Sequence, residues 1–156
     1  MLEVRSADWI DPGTYRVKDG AQRFETWEMN YAAQLGLGAA IDYALDQGLD
    51  AIWERVRRLG DLLRRELAEP PGVEVHDLGR TKCGIVTFSV RALAAVEVAA
   101  ALAEDQINVS VSLPKDTLLD FDERGLPEIV RASVHYFNTE EEVQRAVRLV
   151  AGLSAQ

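Results

Sequence analysis

The stretch Val130–Val143, V-R-A-S-V-H-Y-F-N-T-E-E-E-V, leaves this chain the least freedom. Val130, Ala132 and Val134 alternate with Arg131, Ser133 and His135, the two-residue period of a strand with two unlike faces. Asn138 and Thr139 then offer side-chain oxygens to free backbone N–H groups, and Thr139 and Glu142 have the spacing of a capping box. Glu140, Glu141 and Glu142 fall where a helix N-terminus favours negative charge, and Arg145 and Arg148 follow toward the end that favours positive charge. The reading is a buried strand, a polar turn and a closing helix over residues 139–153. Arg131 is thereby held on a strand, a few residues ahead of an anchored helix. A planar guanidinium so placed grips a carboxylate through two parallel hydrogen bonds. The alternative is a plain ion pair between Arg131 and a local Asp or Glu.

Charge and apolar content bound the partners. The net charge is −9, so the electrostatic footprint of a nucleic-acid binder is missing. No apolar run approaches the roughly 20 residues of a membrane span, and M-L-E-V-R-S-A-D-W has neither the basic nor the apolar region of a signal peptide. The single cysteine, Cys83, allows no internal disulfide and fits a reducing, cytoplasmic setting. At 156 residues one principal domain is expected. His76 and His135 are the only histidines, and no Cys/His spacing supports a zinc site. Asp120-x-Asp122-x-x-Gly125 hints at a calcium loop but fails it, with Arg124 at the third ligand position and Arg131 at the twelfth.

Taken in order, residues 1–22 read as an irregular segment with one short strand near Tyr15–Val17. They make sense packed on a part of the protein that this chain lacks. Glu28–Gln47 reads as a helix ended by Gly48, apolar on most sides and therefore buried on most sides. Asp50 is the expected cap of a helix over 51–68, whose apolar face is Ile52, Val56, Leu59, Leu63 and Leu67. Glu54–Arg58 and Asp61–Arg65 are expected pairs on its wet side. Strands are expected at 73–75, 84–90, 107–113 and 130–134, a helix at 92–104, and a charged connection at 115–127. Cys83, at the mouth of a strand, reads as a small buried hydrophobe. The fold class is α+β, a two-layer sandwich in which helices cover one face of a small, mostly antiparallel sheet.

The segment R-A-S-V-H-Y-F-N-T-E-E-E-V resembles the C-terminal signature of the class V aminotransferase-type enzymes, pyridoxal-phosphate-dependent proteins of fold type I. That family includes cysteine desulfurases and isopenicillin-N-epimerase-like enzymes. A-Q-R-F-E-T-W-E-M-N-Y-A-A-Q is similar to the family's R-F-E segment, and Ile107–Ser112, I-N-V-S-V-S, to a strand that lines its active site. The resemblance covers about Arg23 to Leu149. It implies that residues 23–156 form the family's small C-terminal domain and that Arg131 binds the α-carboxylate of an amino-acid substrate. Asn108, Ser110 and His135 are the other expected pocket residues; for His135, a role in capping the strand end stays equally open.

Departures from the family set further expectations. Lys18, Lys82 and Lys115 are the only lysines, and none stands in the family's S-x-H-K context. The Schiff-base lysine therefore belongs to a large domain absent from this chain. Pyridoxal phosphate is expected in the complete enzyme and not in this chain alone, which is then inert. A homodimer through the Glu28–Gln47 helix is expected. Trp27 and Glu28 stand where the desulfurases carry glycine and threonine. S-L-P-K-D-T-L lacks the nucleophilic cysteine that desulfurases carry after the strand matched by Ile107–Ser112. The expectation is accordingly transaminase, epimerase or lyase chemistry and not cysteine desulfuration. The alternative is a freestanding, non-enzymatic α+β module that binds a small carboxylate or a protein partner.

Overall fold

The computed structural model describes residues 5–155, which fall into one unit up to Asp46 and another from Gln47 onward. In the first unit, Pro12 and Gly13 supply turn chemistry, and the Asp11 carboxylate accepts a hydrogen bond from the Gly13 amide at 2.9 Å. That turn joins strands β1 (Ala7–Asp11) and β2 (Thr14–Val17) as an antiparallel hairpin with Trp9 opposite Tyr15. β1 is an addition to the single strand expected there. The first four residues of the segment expected to be irregular lie outside the described residues. After a 3-10 turn at Ala21–Phe24 comes helix α1 (Tyr31–Gln47), capped by the Asn30 side chain, which accepts from the Ala33 amide at 2.9 Å. Gly48 ends it at φ 84, the left-handed conformation that glycine adopts without steric cost. No residue of α1 is buried.

The second unit is built on a four-stranded sheet, β3 (Val73–Val75), β4 (Ile85–Val90), β5 (Ser110–Ser112) and β6 (Ile129–Ser133), in the spatial order β3-β4-β6-β5. Every neighbouring pair is antiparallel. Val86, Phe88, Val90 and Val130 turn to one face, where α2 (Leu49–Leu67), α3 (Ala95–Glu104) and α5 (Glu140–Ser154) cover them. Leu59, Leu63 and Leu67 of α2, Val98 and Leu102 of α3, and Val143, Val147 and Val150 of α5 complete this core. Burying each such side chain stabilises by about 1.5–3 kcal/mol, which is why the faces stay together. The α+β sandwich with one helix-covered face is thus present.

Two glycines set how closely α2 approaches the sheet. A Cβ on Gly84 would lie 2.5 Å from the Val134 carbonyl and 2.6 Å from Cγ1 of Val56 on α2. A Cβ on Gly60 of α2 would lie 2.9 Å from the Cys83 carbonyl. Only bare backbone fits at both positions.

Several element ends differ from expectation for local reasons. Asp50 lies inside the first turn of α2 and is not its cap; Gly48 holds that place. α3 starts at Ala95 and not at Ala92, because Ala92 sits at φ 65, outside helical geometry. Its first amides are met by Glu128, which accepts from Ala95 N at 2.7 Å, and by Glu97, which accepts from Ala94 N at 2.9 Å. The charged stretch 115–127 contains a short helix, α4 (Leu118–Arg124), stopped by Gly125 at φ 60. β5 is ladder-paired only from Ser110, so residues 107–109 precede the strand. On α2, Arg58 pairs with Glu140 at 3.0 Å and Asp61 with Arg64 at 3.4 Å, in place of the expected partners. Among the described residues no helix is long and apolar enough to cross a membrane.

Candidate functional site

Arg131 is opposite Thr87 on β4 and opposite Ser110 on β5, so the three residues form one rank across the sheet. Alternation places them on the face away from α2, α3 and α5. The hydrogen bonds say which neighbour is closer. His76 N donates to the Thr87 carbonyl at 2.8 Å, on the β3 side, while Val134 N donates to the Gly84 carbonyl at 2.9 Å. Even-numbered residues of β4 therefore bond to β6, and Thr87–Arg131 is a non-hydrogen-bonded pair. Such pairs bring Cα atoms to about 4.5 Å and side chains closest together. Arg131 is exposed and makes no hydrogen bond or ion pair with any described residue. The alternative of a local ion pair for Arg131 is not what the structure holds.

Thr87 is fixed from behind. Asp77 Oδ1 accepts from Thr87 N at 2.8 Å and from Thr87 Oγ1 at 2.6 Å. Asp77 Oδ2 accepts from Arg64 Nε at 2.5 Å, and the two side chains are only 9% and 10% exposed. Arg64 Nη2 also donates to the carbonyls of Cys83 at 2.6 Å and Ile85 at 2.7 Å. A buried ion pair is tolerated when hydrogen bonds satisfy its remaining donors and acceptors, as they do here. Sequence reading missed this network. Its one visible trace is Gly60, a helix-interior glycine one turn before Arg64. A Cβ there would stand 3.0 Å from Arg64 Nη1, so the glycine makes room for the guanidinium.

The other expected site residues divide. Ser110 joins Arg131 in the rank. Asn108 lies ahead of β5 and lines a cleft of about 410 Å³ with Ser133, Asn138, Glu142 and Arg145 at its rim and Leu63, Phe88 and Leu102 at its floor. His135 follows the end of β6, where its amide donates to Asn138 Oδ1 at 2.8 Å and its ring stacks on Phe137 at 5.0 Å. The side chain that caps this strand end is that of Asn138. Thr139 and Glu142 make the capping box, with Thr139 Oγ1 accepting from Glu142 N at 3.2 Å and Glu142 Oε2 accepting from Thr139 N at 3.0 Å. Cys83 is exposed, contrary to the expectation of a buried hydrophobe, because its carbonyl and not its side chain faces α2. No lysine lines the Asn108 cleft. His76 carries a buried ring bonded to Ser89 Oγ at 2.9 Å, and burial above all, with the Arg124 charge assisting, pulls its pKa below the ordinary value against the opposing pull of Glu74 and Asp77.

Comparison with known proteins gives the chain relatives. The family model for aminotransferase class-V matches residues 7–146. A probable cysteine desulfurase of Methanothermobacter thermautotrophicus is 30% identical over 135 residues, covering 83% of this chain and 33% of that protein. A cysteine desulfurase of Salmonella newport is 32% identical over 133 residues, covering 85% of this chain and 31% of that protein. The apo structure of a cysteine desulfurase from Thermococcus onnurineus NA1 matches 99% of this chain and 39% of that one, with 25% identity and a TM-score of 0.78. The chain spans about a third of the length of the curated relatives it matches. These relatives, named cysteine desulfurases, overturn the exclusion of cysteine desulfuration drawn from S-L-P-K-D-T-L.

Proposed function

The chain belongs to the aminotransferase class-V family, and we propose that it serves as the carboxylate-binding part of an enzyme that removes sulfur from cysteine. One observation carries the reading: the guanidinium of Arg131, unpartnered among the described residues, stands on the sheet face that α2, α3 and α5 leave uncovered, with Thr87 on one side and Ser110 on the other. An arginine fork meets a carboxylate in a bidentate pair, which fixes orientation as well as charge. The Ser110 hydroxyl is the second donor in the rank. Thr87 spends its proton on Asp77 and shapes the opposite wall.

Pyridoxal phosphate is the cofactor of the family, and it supplies an electron sink when bound through a lysine. The residues present do not fit that group by themselves: Lys18, Lys82 and Lys115 are the lysines available, and none lines the cleft that Asn108 enters. We assign the cofactor and its lysine to the portion of the enzyme outside this chain. We further assign α1 to a covered interface of the complete assembly, as in a homodimer. Leu35 is 78% exposed on it and Leu37 61%, an apolar surface that a finished protein covers.

The reading is tested by steady-state kinetics of the complete protein on L-cysteine, followed as sulfide released under reductant. Arg131→Ala is expected to raise KM about 10- to 100-fold with a smaller change in kcat, the loss of one charge-assisted contact. Arg131→Lys recovers only part of it, because an ammonium lacks the fork. An unchanged KM contradicts the anchor role.

A further inference from the structure

We propose that Arg64 is a positioning residue for Arg131: by occupying Asp77, it keeps that carboxylate from capturing the anchor guanidinium. The inference rests on the reading of Arg131 as the carboxylate anchor. Asp77 is the acceptor behind Thr87, 2.6 Å from the Thr87 hydroxyl, and Thr87 is the closest cross-strand neighbour of Arg131. An arginine stem of three methylenes spans more than one interstrand spacing of about 4.8 Å. Arg131 is therefore within range of an unoccupied Asp77.

What prevents that pairing is the way Asp77 is filled. A carboxylate offers about four acceptor sites. Two on Oδ1 are taken by Thr87 N and Thr87 Oγ1, and Oδ2 is taken by Arg64 Nε. The Arg64 charge also neutralises Asp77 where water is scarce, and Arg64 cannot drift away, because its Nη2 is tied to the carbonyls of Cys83 and Ile85. Without Arg64, the Asp77 charge is left buried and uncompensated, a state that recruits any cation within reach. Arg131 is such a cation, unpartnered among the described residues and opposite Thr87 on the next strand, β6. The anchor then becomes a structural ion pair and the substrate carboxylate loses its partner.

The test reads arginine side-chain Nε–H exchange by nitrogen-15 NMR in the full chain, with no substrate present. In the unmodified chain the Arg64 Nε–H exchanges slowly and the Arg131 Nε–H fast. In Arg64→Met the Arg131 Nε–H is expected to slow by about tenfold or more, the protection that a charge-assisted hydrogen bond supplies. Arg64→Gln, which keeps donors for the two carbonyls but no cation, gives the same direction if the methionine variant does not fold. Arg64→Met combined with Asp77→Leu returns Arg131 to fast exchange, a reversal that simple loosening of the fold would not produce. Unchanged Arg131 exchange in whichever single variant keeps the native circular dichroism overturns the proposal. Because no substrate is involved, that outcome is separate from a failure of the carboxylate reading, which the cysteine kinetics decide.

Discussion

Arg131 shows what alternation makes legible at the scale of one residue. Its place between Val130 and Ala132 assigns it to the polar face of a strand, and the structure puts it there, exposed and without a partner among the described residues. Thr87, Asp77 and Arg64 were not legible in the same way. Their relation depends on the register between β4 and β6 and on the turn after β3, and neither leaves a periodic mark in the sequence. Cys83 stands just ahead of β4 and turns its carbonyl, not its thiol, toward Arg64 of α2, so the small-hydrophobe expectation fails there. His76 carries a prediction at this scale. Burial holds its pKa below the 6.5 of a free imidazole, so the unfolded chain takes up the proton first as pH falls. Its contribution to stability is whole above pH 6.5 and is lost as pH falls from there through the folded pKa. Denaturant unfolding measured across that window should show stability falling with pH in the native chain, with a flatter profile in His76→Gln.

At the scale of elements, strands and helices with one apolar face were readable, and elements defined by single close contacts were not. β3, β4 and β6 and helices α2 and α5 fall within a few residues of expectation, since Leu59, Leu63 and Leu67 or Val143, Val147 and Val150 mark the inward stripe. α4 was hidden because Lys115, Asp116 and the acidic residues after them suggest a solvated connection, while only Phe121 turns inward. The α5 start was fully written in Thr139 and Glu142. Thr139→Ala should cost about 1 kcal/mol in chemical denaturation. The hydrogen bond from the Thr139 amide, and then that from Asn138, holds the Glu142 carboxyl below its usual range, so this cap is intact above the unfolded value of 4.5 and opens as pH falls below it. Gly84→Ala is expected to cost about 1–3 kcal/mol, because its methyl meets the Val134 carbonyl and Val56 across the α2–sheet contact. A substitution tolerated without loss of stability would mean that α2 can lift from β4.

At the scale of the whole chain, the helix-covered face followed from element type and spacing, and the family followed from three short motifs in order, whereas the strand order β3-β4-β6-β5 comes from the structure. The reaction did not follow. The loop S-L-P-K-D-T-L sets an expectation against desulfuration, and relatives at 30–32% identity named cysteine desulfurases overturn it. The reason is physical. The carboxylate anchor proposed at Arg131 would serve every amino-acid substrate alike, so it would specify a substrate class and not a bond to be broken. The chain is accordingly proposed to carry a carboxylate half-site already in place. The most direct measurement is a titration of the chain with L-cysteine and, separately, with cysteamine, its counterpart without the carboxylate, read at the Arg131 Nε–H by NMR. A half-site of this kind gives a saturable shift with L-cysteine and none with cysteamine. Equal shifts with both compounds, or no shift with L-cysteine, would contradict it.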